Sequence, residues 1–190
     1  MQIDKRQQIP QVSCLIKPLE TNWIVITGAP SSGKTTLIHR LEKLGYKICN
    51  DIAREVIKEH LANSDKNDEF FKQTKIVERF LLKQSDFFPD ELVIFDYGMP
   101  DNIVFQAKHG FKIELAERAA RLIRYRAVIL LMPLEIENDG IRKLDKHEQH
   151  ELFHSIFNKY KEYGYSPIII QPEPIEARIK KVLNLIQEEL

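Results

Sequence analysis

"GAPSSGKTT", residues 28–36, lies between the apolar run "WIVIT" at 23–27 and a helical pattern over 34–44. A glycine-rich turn of the form Gly-x-x-x-x-Gly-Lys-Thr, placed between a buried strand and a helix, is typical of a loop that binds nucleotide phosphates. Glycines let the backbone curl so that successive N–H groups face phosphate oxygens, and the helix adds its positive N-terminal end. The residues that we expect to contact the nucleotide are Gly28, Ala29, Pro30, Ser31, Ser32, Gly33, Lys34, Thr35 and Thr36.

Three residues are candidates for the chemistry at this loop. Lys34 can reach the β- and γ-phosphates, and the Thr35 hydroxyl can ligate Mg²⁺. Asp96 ends the apolar run "LVIFD" at 92–96, which places its carboxylate at the carboxyl edge of the predicted sheet. We predict that Thr35 and Asp96 hold Mg²⁺ and that Lys34 and Asp96 are catalytic. The alternative for Asp96 is a helix or turn cap before Gly98.

Short apolar runs alternate with helical patterns along the whole chain. Nearly continuous apolar runs are typical of parallel strands that are covered on both faces. The sequence therefore predicts an α/β protein with the P-loop NTPase fold: an open, mostly parallel five-stranded sheet with helices on both faces, as in nucleotide kinases. The predicted strands are 23–27, 46–50, 92–96, 127–132 and 166–170, and the predicted helices are 34–44, 69–84, 112–125, 147–163 and 174–189.

Domain organisation follows from length and from charge. A chain of 190 residues fits one domain. We predict an N-terminal extension over 1–21 and one P-loop domain over 22–190. The charged stretch "LEIENDGIRKLDKHEQ" at 134–149 directly follows a core strand, and we predict a lid there.

Composition narrows the partners and the compartment. Lys plus Arg and Asp plus Glu each total 28, so bulk charge does not favour nucleic acid, and no basic patch studded with aromatic residues is visible. The N-terminal residues are polar, and the longest apolar run, 127–134, is too short to span a membrane. We expect a cytoplasmic protein without a membrane span. Cys14 and Cys49 lack metal-ligand spacing, and we expect two thiols, although a disulfide stays open.

One motif points to a different chemistry. His150-Glu151-x-x-His154 has the spacing of zinc proteases on a predicted helix. The apolar stripe of that helix, however, runs through Leu152 and Ile156, so the histidines fall on its exposed flank, and no third ligand follows. We do not expect zinc.

Five segments in this order carry a family resemblance: "ITGAPSSGKTTLIHRLEKLGYKI", "DIAREVI", "FDYGMPDNIVF", "AVILLMPLEIENDGIRK" and "YKEYGYSPIIIQP". The chain resembles the AAA-type ATPase/kinase-like P-loop family that includes the ribosylnicotinamide kinase domain of bacterial NAD-biosynthesis regulators. The resemblance covers about residues 22–189. It implies a nucleotide, ATP or GTP, with Mg²⁺ as cofactor, and ATPase or kinase activity.

The resemblance also indicates acceptor-side residues in "DIAREVI" (51–57). In kinases of similar layout, a carboxylate leaving the second strand takes the proton of the acceptor hydroxyl or binds its sugar. Asp51 is our candidate for that catalytic base, with Arg54 and Glu55 as acceptor-binding candidates. The alternative is that Asp51 caps the helix and Arg54 forms a surface salt bridge.

The segment "NDGIRK" (138–143) lies in the predicted lid. Arg142 could close over the phosphates and neutralise charge on the transferred group, which makes it a catalytic candidate. Asp139 is a further acceptor candidate. A solvated, salt-bridged loop is the alternative.

One residue departs from the family pattern. Relatives often have Arg after the strand-end aspartate, where this chain has Tyr97, and tyrosine supplies neither the charge nor the bidentate geometry of arginine. Either another arginine substitutes, with Arg118, Arg121 and Arg124 as candidates, or the acceptor differs. We take Tyr97 and Asp101 as acceptor-site candidates.

These observations favour a P-loop phosphotransferase that moves phosphate to a small hydroxyl-bearing acceptor, nucleoside- or riboside-like. The first alternative is a switch that hydrolyses ATP or GTP. The guanine-specific motif Asn-Lys-x-Asp is absent, which weighs against the GTP form of this switch. The second alternative is an interaction module that binds nucleotide without transferring phosphate, and Tyr97 is its best support.

Overall fold

The computed structural model describes residues 17–50, 52, 55, 56, 59, 69–134 and 146–187, with side chains in the 69–84 helix from residue 74 onward. Residues 52, 55, 56 and 59 are helical. In chain order the other elements are β1 (Leu19–Glu20), β2 (Ile24–Gly28), α1 (Lys34–Lys43), β3 (Lys47–Cys49), α2 (Glu69–Gln84), β4 (Val93–Asp96), α3 (Met99–Lys108), α4 (Glu114–Ala120), β5 (Ile123–Arg124), β6 (Ala127–Leu131), α5 (Lys146–Glu162), β7 (Ile168–Ile170) and α6 (Ile175–Gln187).

The main sheet has five strands in the order β3-β4-β2-β6-β7, and every neighbouring pair is parallel. This confirms the predicted fold class and all five predicted strands. Because the strands are parallel, their carboxyl ends share one edge. The central strand β2 aligns Ile26 with Asp96 of β4 and Gly28 with Leu131 of β6, so the phosphate loop leaves the sheet between these two neighbours.

Side chains alternate along β2 between two hydrophobic clusters, one on each face of the sheet. Val25 joins a cluster with residues of α2, α3, α4 and α5, whereas Ile24 and Ile26 pack with Leu37 of α1 and Ile179 of α6. All five residues of β2 are buried. Helices on both faces explain why the strand sequences are continuously apolar rather than alternating.

Two elements differ from the prediction. The predicted helix over 112–125 ends at Ala120, and Ile123 and Arg124 instead form β5, which pairs with β1. The Leu19 N–H donates to the Leu122 carbonyl oxygen at 2.8 Å, so this end of the segment is used for strand pairing. α3 was not predicted; it begins next to Pro100, a residue favoured in the first helical turn.

Over the described ranges, no helix is long and apolar enough to cross a membrane.

Candidate active site

The phosphate loop is shaped by two glycines. A Cβ on Gly28 would lie 2.6 Å from the Leu131 carbonyl oxygen and 2.8 Å from Ser32 Oγ, so only glycine fits where β2 passes β6. Gly33 has a φ of 77° and is the N-cap of α1, a left-handed conformation that glycine adopts readily. No side chain caps α1 at Gly33. The first-turn amides of α1 are therefore suited to an anion.

Lys34 and Asp96 meet at the mouth of this loop. The Lys34 ammonium forms a direct, charge-assisted hydrogen bond with Asp96 Oδ1, and the side chains are only 20% and 13% exposed. β2 carries the loop and β4 carries Asp96, so their side-by-side pairing brings together two residues that are 62 positions apart. Thr35 follows on the first turn of α1 and is exposed.

The donor set at this edge fits a small hard cation. Mg²⁺ prefers oxygen ligands, and a carboxylate and a hydroxyl are available from Asp96 and Thr35. The ammonium of Lys34 occupies Asp96 Oδ1 in this structure. If Lys34 bound a phosphate oxygen instead, the Asp96 carboxylate would be available to hold a cation.

Arg178 supports the loop from behind, and sequence reasoning missed it. Its guanidinium, 1% exposed, donates from Nη1 to the Ser32 carbonyl oxygen at 2.6 Å and from Nη2 to the Met132 carbonyl oxygen at 3.4 Å. Burial lowers the pKa of Arg178. The residue lies on α6, 146 positions from Ser32, and nothing in a helical pattern distinguishes it from a surface arginine.

Asp101 lies inside the protein beside the loop. It is 1% exposed, and its oxygens accept hydrogen bonds from the Thr27 hydroxyl, the Tyr160 hydroxyl and the Gly98 N–H, the last at 2.9 Å. Burial raises the pKa of the Asp101 carboxyl, and the bonds from Thr27 and Tyr160 oppose that rise. In this arrangement the carboxylate that was predicted as an acceptor candidate faces protein donors.

Tyr97, directly after Asp96, has a φ of 69°, a left-handed conformation that is unusual for an aromatic residue. Its N–H donates to the Ile26 carbonyl oxygen at 3.0 Å, and its half-buried ring lies 5.5 Å from that of Phe80 on α2. Such backbone outliers cluster at functional sites. The position of Tyr97 is therefore compatible with its predicted place at the acceptor side.

Glu55, another acceptor candidate, faces α2. Its Oε2 lies 3.9 Å from both Arg79 Nη1 and Lys83 Nζ, and its side chain is 41% exposed. The carboxylate of the helical residue Glu55 therefore faces two positive charges on α2.

The three arginines considered as substitutes for the missing charge lie elsewhere. Arg124 belongs to β5, which leads into the amino end of β6, opposite the phosphate loop. Its guanidinium donates to the carbonyl oxygens of Tyr163 at 2.9 Å and Gly164 at 2.6 Å. Arg121 lies over the Tyr163 ring, and Arg118 is exposed on α4. Arg124 therefore does not replace an arginine at position 97.

Four predicted site residues, Asp51, Arg54, Asp139 and Arg142, lie outside the described residues, as does the predicted lid from 135 to 145. The described start of that segment touches the loop, because the Leu134 N–H donates to the Ser31 carbonyl oxygen at 3.3 Å.

The His-Glu-x-x-His motif lies on α5 with its histidines exposed. Leu152 and Ile156 are buried, which confirms the predicted apolar stripe, whereas His150 and His154 are exposed. Within the part of the chain that the structure describes, no group of three or more His, Cys, Asp or Glu side chains is arranged to hold a metal ion.

A family model described as an AAA domain matches residues 23–178. This range includes the phosphate loop, Asp96, Asp101 and Arg178. A search of curated proteins finds no match.

Solved structures of kinases share the fold. NadR in complex with NR superimposes with a TM-score of 0.65 at 18% identity, covering 90% of this chain and 53% of that chain. Thymidylate kinase from Ehrlichia chaffeensis gives 0.62 at 15% identity, covering 88% of this chain and 100% of that chain. Deoxyadenosine kinase from M. mycoides, with products dCMP and a flexible dCDP bound, gives 0.55 at 17% identity, with coverages of 86% and 97%. The chain thus spans about half the length of NadR and nearly the full length of the other two.

Proposed function

The chain belongs to the AAA domain family, and from this premise we propose that it is an ATP- and Mg²⁺-dependent P-loop phosphotransferase acting on a small hydroxyl-bearing acceptor, nucleoside- or riboside-like. The observation that carries the proposal is the contact of Lys34 with Asp96 beside the uncapped first turn of α1. An ammonium that could bind phosphate and a carboxylate that could bind a metal ion lie at one edge of the sheet, next to the first turn of α1, which no side chain caps.

The donor half of the reaction uses the phosphate loop. Backbone N–H groups of residues 28–36, apart from Pro30, which has none, bind the phosphates, and Lys34 leaves Asp96 to reach the β- and γ-phosphates. Asp96 and Thr35 would hold Mg²⁺, which would supply positive charge against the transferred phosphoryl group. Arg178 holds the Ser32 carbonyl and so keeps the loop in its curled form.

The acceptor half is assigned to the neighbouring strand ends. Solved structures of this fold include NadR with NR and a deoxyadenosine kinase with dCMP, which supports a nucleoside-like acceptor. Asp51 takes the proton of the acceptor hydroxyl, and Arg142 closes over the phosphates. Arg54, Glu55, Tyr97 and Asp139 remain candidates to bind the acceptor, whereas Asp101 is buried and its oxygens accept hydrogen bonds from the protein itself.

Tyr97 bears on the kind of acceptor. A phosphorylated acceptor needs a cation near its phosphate, and tyrosine carries no charge at neutral pH. An aromatic ring instead offers a flat surface against which a base or another ring can stack. We therefore favour an uncharged, ring-containing acceptor over a nucleotide.

A second candidate function is hydrolysis of the nucleotide, or its binding alone, without transfer. The observation that favours it is again Tyr97, because the chain lacks an arginine directly after Asp96. ATP and GTP both remain candidates, since a loop of this motif binds phosphates and does not select the base.

The test is a nucleotide-consumption screen with ATP or GTP, Mg²⁺ and a panel of nucleosides, ribosides, vitamins and sugars, with products identified by mass spectrometry. We expect one acceptor class to gain the mass of a phosphoryl group, and Lys34→Ala to abolish the gain. Asp51→Asn should abolish transfer while leaving ATP binding intact. Release of inorganic phosphate at the same rate with and without every acceptor would instead support the hydrolase.

A further inference from the structure

Asp101 connects three parts of the protein that otherwise have separate roles. Its donors are Thr27 at the end of β2, the Gly98 N–H in the turn after β4, and the Tyr160 hydroxyl near the end of α5. Thr27 immediately precedes the phosphate loop, and Gly98 lies two residues after Asp96. One carboxylate therefore holds both strand ends that form the proposed nucleotide site.

Because the Asp101 carboxylate is buried, the stability of the fold depends strongly on its hydrogen bonds. A carboxylate that is 1% exposed is costly unless its lone pairs are satisfied, and removing one donor leaves a strong penalty behind. Tyr160 is fully buried and its ring cannot move away freely, because it packs 5.6 Å from the ring of Tyr165 within the core. The position of Asp101 is thus set from α5 as well as from the sheet.

We propose that Asp101 is a positioning residue that links α5 to the phosphate loop, with Tyr160 at one end of the link and Thr27 at the other. This inference rests on the proposed function, because its consequence is a change in Mg²⁺-ATP binding. In the part of the chain that the structure describes, Tyr160 makes no hydrogen bond to the loop backbone or to Lys34, so its effect on nucleotide binding passes through Asp101.

Tyr125 provides a matched control. It is a second buried tyrosine of the same hydrophobic cluster, and both residues lie against Gly98. Its hydroxyl, however, accepts from Gln84 Nε2 at 3.0 Å and from the Met99 N–H at 3.4 Å, with no bond to Asp101. Removal of either hydroxyl costs a buried hydrogen bond, but only that of Tyr160 takes a donor from Asp101.

The first experiment compares Tyr160→Phe with Tyr125→Phe. Both variants should unfold at lower urea concentration than the wild type. In calorimetric titrations with Mg²⁺-ATP, we expect Tyr160→Phe to bind roughly three- to tenfold more weakly, which lies within the range found for coupling through packed networks, and Tyr125→Phe to stay within about twofold of the wild type. Equal affinities of the two variants would overturn the link.

The second experiment needs no nucleotide. In a double-mutant cycle on urea unfolding, Thr27→Val and Tyr160→Phe should be non-additive by at least about threefold in the unfolding constant, because they share Asp101. The pair Thr27→Val and Tyr125→Phe should be additive. Additivity in both pairs would overturn the link even if nucleotide binds. Failure of the wild type to bind Mg²⁺-ATP would overturn the proposed function and the effect on binding, and the cycle would still decide whether the link exists.

Discussion

The guanidinium of Arg178, on the last helix, donates from Nη1 to the Ser32 carbonyl oxygen at 2.6 Å, inside the phosphate loop. The same group donates from Nη2 to the Met132 carbonyl oxygen after β6. The loop is therefore fixed by the C-terminal part of the chain, not only by its own glycines.

Substitution of Arg178 should destabilise the fold. Arg178→Met keeps much of the side-chain volume but leaves the buried Ser32 carbonyl without its donor, and we expect a loss of roughly 2–4 kcal/mol in the free energy of unfolding. Arg40→Met is the matched control on α1, because Arg40 is 53% exposed and lies 3.8 Å from Glu176 of α6. It should cost less than about 1 kcal/mol in urea unfolding. Similar losses in both variants would contradict a special role for Arg178.

Gly98 should be intolerant of even one methyl group. A Cβ there would lie 2.5 Å from the Tyr160 hydroxyl oxygen and 3.2 Å from Tyr125 Cε2, and its φ of −123° adds no backbone strain. We expect Gly98→Ala to cost about 1–3 kcal/mol by overpacking. In a Tyr160→Phe background, which removes the oxygen that is closest, the added cost should be smaller. If thermal or urea unfolding gives the same cost in both backgrounds, the clash is not with Tyr160.

Asp96 should control how strongly ATP binding depends on magnesium. The carboxylate competes with phosphate for Lys34 when no metal is present, and it is a ligand for Mg²⁺ when metal is present. We expect Asp96→Asn to bind metal-free ATP more tightly than the wild type and to gain less from added Mg²⁺. Calorimetry with ATP in EDTA and in excess Mg²⁺ measures both affinities. An unchanged ratio of the two affinities would exclude Asp96 as a metal ligand.

Cys49 should make stability fall at alkaline pH. Burial raises the pKa of its thiol from an ordinary value of 9.0 to about 12, so the folded state keeps a proton that the unfolded state releases. The stability this contributes is complete below pH 9 and is lost as pH rises from about 9 towards 12, at up to ~1.4 kcal/mol per pH unit. Cys49→Ala should lose less stability than the wild type between pH 8 and about 11. Parallel pH profiles of the two proteins would contradict this assignment.

The strands could be predicted from sequence because a strand that is buried on both faces consists almost entirely of apolar residues. β2 and β6 are buried at every position and appear as unbroken apolar runs. The sequence of α3 shows no comparable pattern. Polar residues such as Asp101, Asn102 and Gln106 are buried together with Ile103, so the helix has no amphipathic stripe to detect. β1 and β5 are two residues long, which is too short for any periodicity.

Residues of the candidate site could be predicted only where a local sequence motif marks them. Lys34 and Asp96 were both expected, each at the end of a predicted strand or loop, and parallel pairing brings them together. Arg178 could not be found, because its role depends on a contact across 146 positions. Asp101 was predicted as an acceptor-site candidate, but its sequence position could not reveal that Thr27 and Tyr160 would donate to it in place of a ligand.

The most direct test of the account is a calorimetric titration of Mg²⁺-ATP into the wild type, Lys34→Ala and Lys43→Ala. Lys34 begins α1 at the phosphate loop, and Lys43 ends the same helix on its exposed side, so the variants remove the same charge at opposite ends. We predict one binding site in the wild type, an affinity about 10- to 100-fold lower in Lys34→Ala, and an unchanged affinity in Lys43→Ala. Equal affinities of Lys34→Ala and the wild type would contradict the assignment of residues 28–36 as the nucleotide site.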